Sequence, residues 1–215
     1  KEKAFKKIIF SLIKVFKGSI PFTISSLTVI LYLKSDLICL KYFSTEDLLI
    51  GKYSLASTIA ATFYFIPINA YKVLLSSFNG ENLSEILGKF KSKIFKICLS
   101  ILISQEVIYF LIISLHNQFS LFSETIYEIA TLLSILSIGL LGFWLIEYGA
   151  LFFAAKNKNI LLNSRSLITF INNISLNLIF IPKYGIYGAA FGTTLALILT
   201  GFIVLGLKKN IKKGY

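Results

Sequence analysis

Residues 89–115 read KFKSKIFKICLSILISQEVIYFLIISL: a cluster of lysines, then a long apolar run in which Glu106 is the only charge. A helix rises 1.5 Å per residue, so about 20 such residues cross the ~30 Å hydrocarbon core of a bilayer. Comparable runs lie near Pro21 to Phe43, Tyr53 to Leu75, Ile129 to Ala155, Ile160 to Pro182 and Ile186 to Leu207. The chain therefore reads as an all-α, polytopic membrane protein with six transmembrane helices.

The lysines orient those helices, because cytoplasmic flanks of membrane spans gather Lys and Arg. Of the 22 basic residues, all but Lys34, Lys41, Lys52 and Lys183 fall in the N-terminal segment, the connections after the second and fourth spans, or the C-terminus. Both termini are expected in the cytoplasm. The hydrophobic fraction of 56% and mean hydropathy of +0.79 exceed the about 45–50% apolar content of an ordinary soluble domain. The net charge of +12 follows the membrane connections and is not gathered on one folded basic surface, which excludes nucleic acid as the partner. Anionic lipid headgroups suit it instead, each nearby Lys gaining about 1 kcal/mol at the cytoplasmic leaflet.

The connections are too short for a water-soluble domain, so function belongs inside the helix bundle. Residues 1–17 form a basic amphipathic segment, with Phe5, Ile8, Ile9, Leu12, Ile13 and Phe16 at helical spacing, suited to the inner membrane surface. Residues 18–208 form the membrane lobe and 209–215 a basic tail. Cys39 and Cys98 lie at opposite depths and read as small buried hydrophobes. His116 reads as an exposed loop residue. No Cys/His spacing of the zinc type occurs, so neither metal nor cofactor is expected.

Polar groups at membrane depth are the candidate functional residues, because each needs a partner or a wet cavity. Lys34 and Asp36 stand beyond the midplane of the first span and, two residues apart, cannot pair with one another. Asp36 needs a partner from another helix: an interhelical ion pair and a cavity contact are both open. Glu106 and Glu147 lie near the midplane of the third and fourth spans, where a carboxyl can carry a proton or ion, or bridge helices. Arg165 is close enough to the inner end to act as an interface anchor. In the fifth span Asn163, Ser166, Thr169, Asn173 and Asn177 form a polar stripe on one face, facing protein or a wet cleft that binds sugar. Gly185, Gly188, Ala189 and Gly192 would permit close helix approach.

Several stretches, taken in order, carry a family resemblance: Gly18-Ser19-Ile20-Pro21, Lys34-Ser35-Asp36, Gly51-Lys52-Tyr53-Ser54-Leu55-Ala56, Ile66-Pro67, and Ile181-Pro182-Lys183-Tyr184-Gly185-Ile186-Tyr187-Gly188-Ala189-Ala190. With them the sequence resembles the second half of the polysaccharide repeat-unit flippases. These are the O-antigen and capsule translocases of the multidrug/oligosaccharidyl-lipid/polysaccharide exporter superfamily. The resemblance implies two six-helix lobes around a central cavity, this chain being the C-terminal lobe and 1–17 the inter-lobe linker. It implies a transporter, not an enzyme, in the bacterial inner membrane. The substrate would be an oligosaccharide linked to undecaprenyl pyrophosphate, and the partners membrane lipids and the N-terminal lobe. On that resemblance Lys34 and Asp36 line the cavity. A drug or cation exporter of the same superfamily is the nearest rival, and an intramembrane polysaccharide-modifying enzyme a more distant one.

Overall fold

A computed structural model describes residues 23, 27–43, 45–78, 83–119 and 122–213. The amphipathic segment expected over 1–17 lies outside them. Every regular element is helical: α1 (27–42), α2 (Asp47–Ser76), α3 (Leu83–Lys89), α4 (Phe95–Phe119), α5 (Glu124–Ser137), α6 (Gly139–Ala155) and α7 (Asn159–Lys213). Among the described residues four helical stretches are long and apolar enough to cross a membrane: Asp47–Ser76, Leu83–Gln118, Glu124–Ala155 and Asn159–Ile211. α2 runs unbroken through the buried Pro67. A π-helical turn, Phe90–Ile94, joins α3 to α4, and the Trp144 indole of α6 donates to the Phe90 carbonyl at 3.4 Å. α5 and α6 meet at Ile138, whose φ of −58° and ψ of −29° are still right-handed helical, so they form one crossing.

α7 is not one rod. Gly185 takes φ 54°, ψ −129°, a backbone region that a side chain would strain, and the helix doubles back there. A Cβ on Gly188 would fall 2.3 Å from the Phe180 carbonyl oxygen, and one on Gly192 would fall 2.4 Å from Asn177 Oδ1. Farther from the turn, Asn172 Nδ2 donates to Thr200 Oγ1 at 3.1 Å. Each step back along the first arm meets a like step forward along the second, which defines an antiparallel hairpin of α7a (159–184) and α7b (186–213).

α5, α6 and α7 form the middle of the bundle, while α2 and α4 flank it with apolar side chains turned outward. Phe65 is 67% exposed and Phe110 70%, a surface suited to lipid and not to water. α6 lies against α7b at very close range: a Cβ on Gly142 would be 2.6 Å from Ile198 N, and one on Gly201 would be 2.8 Å from Leu145 Cβ. Missing side chains at both positions let the two backbones approach.

The interior divides into two apolar clusters. One, around Phe90, Trp144, Leu151, Phe153 and Val204, lies towards the Lys-rich connections. The other, around Leu40, Tyr53, Leu132, Leu136 and Ile186, lies towards the opposite end. Cys98 belongs to the first and Cys39 to the second. At that Lys-poor end Lys41 pairs with Asp47 at 2.6 Å and Lys52 pairs with Glu128. His116 is half-buried, not an exposed loop residue: it sits in the last turns of α4, stacks on Tyr127 with centroids 4.8 Å apart, and bonds to the Phe122 carbonyl at 2.8 Å. A short connection between α4 and α5 brings these groups together and leaves the ring partly covered.

Candidate functional site

Two open cavities adjoin along one side of the bundle, sharing Tyr32 and Leu33 of α1 and Ala61 and Tyr64 of α2. The first, of about 190 Å³, is completed by Lys34, Asp36, Ser57, Thr58, Leu136 and Thr193. The second, of about 340 Å³, extends towards the Lys-rich end and is completed by Tyr71, Lys72, Phe143, Glu147, Arg165, Ser166 and Thr169 among others. α1 and α2 thus supply one wall and α5, α6 and the α7 hairpin the other.

Lys34 is exposed and reaches the first cavity, whereas Asp36 is only 5% exposed. The Tyr53 hydroxyl of α2 donates to Asp36 Oδ2 at 2.5 Å, and the Leu37 N–H donates to Oδ1 at 2.8 Å. The partner that Asp36 requires from another helix is therefore a neutral phenol; among the described residues no cation forms an ion pair with it. Tyr53 lies 3.3 Å from Thr193 Oγ1, and Thr193 accepts from Asn173 Nδ2 at 3.2 Å. Asn173 Oδ1 in turn accepts from Ser35 Oγ and from Asn177 Nδ2, both at 2.7 Å. This buried network ties α1, α2, α7a and α7b together, and within it Asn177 Oδ1 has no hydrogen-bond partner.

The polar stripe of α7a consequently divides. Ser166 and Thr169 line the second cavity, Asn163 is half-buried nearer the Lys-rich end, and Asn173 and Asn177 are wholly enclosed at the hairpin interface. The division follows from the fold-back at Gly185, which covers the half of the stripe nearest the turn with α7b.

The two midplane carboxyls have different surroundings. Glu106 is half-buried, accepts from the Ser137 hydroxyl of α5, and lines neither cavity. Glu147 is 4% exposed and faces the second cavity, where its Oε1 accepts from Arg165 Nη1 at 2.5 Å. Arg165 therefore turns inward to a carboxylate instead of outward to the interface. Its guanidinium also lies 5.9 Å from the centroid of the Tyr71 ring, within cation–π range. Tyr53, Thr193 and Lys72 are site residues that the sequence reading left out. Lys72 belonged there to the basic flank of the second span, yet in the fold it lines the cavity.

Charge and chemistry across the joined cavities are mixed. Lys34, Lys72 and Arg165 outnumber Asp36 and Glu147, among phenols, hydroxyls and apolar walls. Such a lining can hold an anion with attached hydroxyl groups; its aromatic walls can also hold an organic cation.

No family model matches the chain, and no curated protein sequence matches it. Two solved structures are similar in fold. One is a multidrug resistance MATE family transporter of the MOP superfamily in an outward-facing conformation, with a TM-score of 0.56, 17% identity, and coverage of 86% of this chain and 42% of the transporter. The other is a MOP superfamily transporter from Pyrococcus furiosus, described as having a binding pocket of reverse polarity, with a TM-score of 0.53, 19% identity and the same coverages, 86% and 42%. The chain spans less than half the length of either transporter. It is an all-helical membrane protein with the fold of part of a MOP superfamily transporter.

Proposed function

We propose that this chain is the C-terminal lobe of an alternating-access flippase. In this reading six spans, α1, α2, α4, α5–α6, α7a and α7b, face a second lobe across the two cavities. They move an oligosaccharide linked to undecaprenyl pyrophosphate across the bacterial inner membrane. The observation that carries the reading is the excess of basic over acidic groups in a hydroxyl-rich lining, which suits a pyrophosphate bearing sugars while the lipid tail stays in the bilayer. That both cavities lie open along one side of the bundle supports the need for a partner lobe, since transporters of this type rock one bundle against another around a central site. Asn173 and Asn177 then serve the lobe's internal packing, and Ser166 and Thr169 are the stripe residues placed to meet substrate.

A drug or cation exporter is the second reading. It is favoured by the aromatic walls formed by Tyr32, Tyr64, Tyr71 and Phe143 and by the multidrug description of one structural neighbour. The two readings separate in a strain lacking its own repeat-unit flippase and its main drug pumps. The full protein should restore surface polysaccharide and leave ethidium accumulation unchanged; ethidium export without polysaccharide would favour the drug exporter. In the same assay Lys34→Ala and Asp36→Ala should each lower surface polysaccharide at least about tenfold at matched membrane levels, a loss corresponding to ~1.4 kcal/mol.

Orientation is tested separately. The proposed cytoplasmic side carries the Lys-rich connections, and at the opposite end Lys41 and Lys52 are already paired with acids. Single cysteines at the exposed positions Asn117 and Asn157 are to be probed with an impermeant thiol reagent in intact cells. Labelling is expected at 117 only, and labelling at 157 would overturn the topology.

A further inference from the structure

The charged groups of the second cavity are unequal in their freedom. Glu147 is enclosed on α6, and Arg165 reaches it from α7a with its own side chain 24% exposed. Lys72 lines the same cavity and, among the described residues, forms no ion pair. With the pair intact the three groups present one net positive charge, and without Glu147 they would present two. A guanidinium has five donors in a planar fork and binds carboxylate and phosphate with the same geometry. Glu147 Oε1 holds one of those donors at Nη1. A phosphate entering the cavity must therefore share Arg165 with Glu147 or take its place.

Placement argues against a purely structural tie between α6 and α7a. A buried ion pair is a poor source of stability, because desolvating both charges offsets most of their attraction, and here the pair borders an open cavity lined by a further cation. A transporter also has to release its cargo, and a cavity whose cations are all unopposed would hold a polyanionic headgroup too firmly. A carboxylate fixed beside one cation supplies a permanent competitor that reclaims it as the substrate leaves.

We propose that Glu147 is an internal counter-ion that competes with the substrate's phosphate for Arg165 and thereby sets how readily the cavity releases its anionic headgroup. Glu147 is in this sense a positioning residue, and the proposal rests on the flippase reading above.

The test uses the full protein, purified in detergent, with inorganic pyrophosphate as the probe at fixed ionic strength. Glu147→Gln should bind pyrophosphate about tenfold more tightly than wild type, a change within the usual range for a coupling between neighbouring groups. In cells it should export less polysaccharide, so that affinity and turnover move in opposite directions. Arg165→Gln should bind more weakly, and the double variant E147Q/R165Q no more tightly than wild type, because the gain requires Arg165. Glu147→Asp, whose shorter reach weakens the pair, should tighten binding about threefold and keeps the test open if E147Q does not fold. Unchanged or weaker pyrophosphate binding by the folded Glu147 variants would overturn the counter-ion role alone, as would a gain that survives removal of Arg165. A wild-type protein that binds tetraphenylphosphonium and not pyrophosphate would overturn the flippase reading and this inference with it.

Discussion

Replacing Gly142 with alanine is expected to break the central packing of the helix bundle. The added Cβ would sit 2.6 Å from Ile198 N, 2.7 Å from the Leu197 carbonyl carbon and 2.9 Å from Ile198 Cα. All three are backbone atoms of α7b, so no side-chain rotation relieves the clash and α6 and α7b must separate. Overpacking of this kind costs about 1–3 kcal/mol, and separation also loosens Gly201 against Leu145. For a chain of this size 2–3 kcal/mol corresponds to a melting temperature lower by roughly 5–10 °C, measured in detergent by tryptophan fluorescence or static light scattering. Gly206→Ala, on the facing helix α7b, is the control: open space surrounds that position, and alanine favours a helix by about 1 kcal/mol over glycine. An equal loss in both variants would show that glycine as such, and not close approach at 142, accounts for the effect.

Asn173→Leu is expected to damage the bundle by a different route. Leucine has a similar size, so little space is lost, but three hydrogen bonds disappear. Ser35 still donates to the Tyr32 carbonyl at 2.9 Å, and Thr193 keeps Tyr53 at 3.3 Å. Asn177 fares worst, because its Oδ1 already lacks a partner and its Nδ2 loses the one it has. Each buried polar group left unpaired costs about 1–3 kcal/mol, so a total near 2–4 kcal/mol is expected. A double-mutant cycle checks the cause: Asn177→Ala should cost less in the Asn173→Leu background than in the wild-type chain. Additive losses would mean that the two amides act independently.

The apolar runs and the lysine pattern were legible in the sequence because the bilayer imposes both, one by length and one by charge. What the sequence could not disclose depends on which helices become neighbours. Asp36 was visible as a group in need of a partner. Its donor, Tyr53, sits in a motif already noticed, but a phenol within an apolar run reads as core until α2 is set against α1. The period of the α7a stripe was legible; its division between cavity and interface was not, since the covering arm is assigned only by the turn at Gly185.

The ion pair between Glu147 and Arg165 is a case where the signal was present. The two residues stand equally far from Lys156, at the turn between α6 and α7. In an antiparallel helix pair joined by a short turn, residues equally far from the turn lie level with one another. Arg165 read as an interface anchor because it was judged by its distance to the membrane end alone. Lys72 stands at the depth at which flanking lysines begin, and the cavity opens to that depth.

The hairpin at Gly185 also bears on how the chain is made. α7a carries Asn172, Asn173 and Asn177, and in isolation it would bring these amides into lipid with only the Asn177-to-Asn173 hydrogen bond to meet them, at several kcal/mol for the groups left unsatisfied. Thr193 and Thr200, which meet two of those amides, are translated only after the turn. α7b thus supplies partners that α7a lacks alone, which favours entry of the two arms into the bilayer as a pair. A ribosome that stops shortly after Gly185 would release α7a without the hydroxyl partners of Asn172 and Asn173.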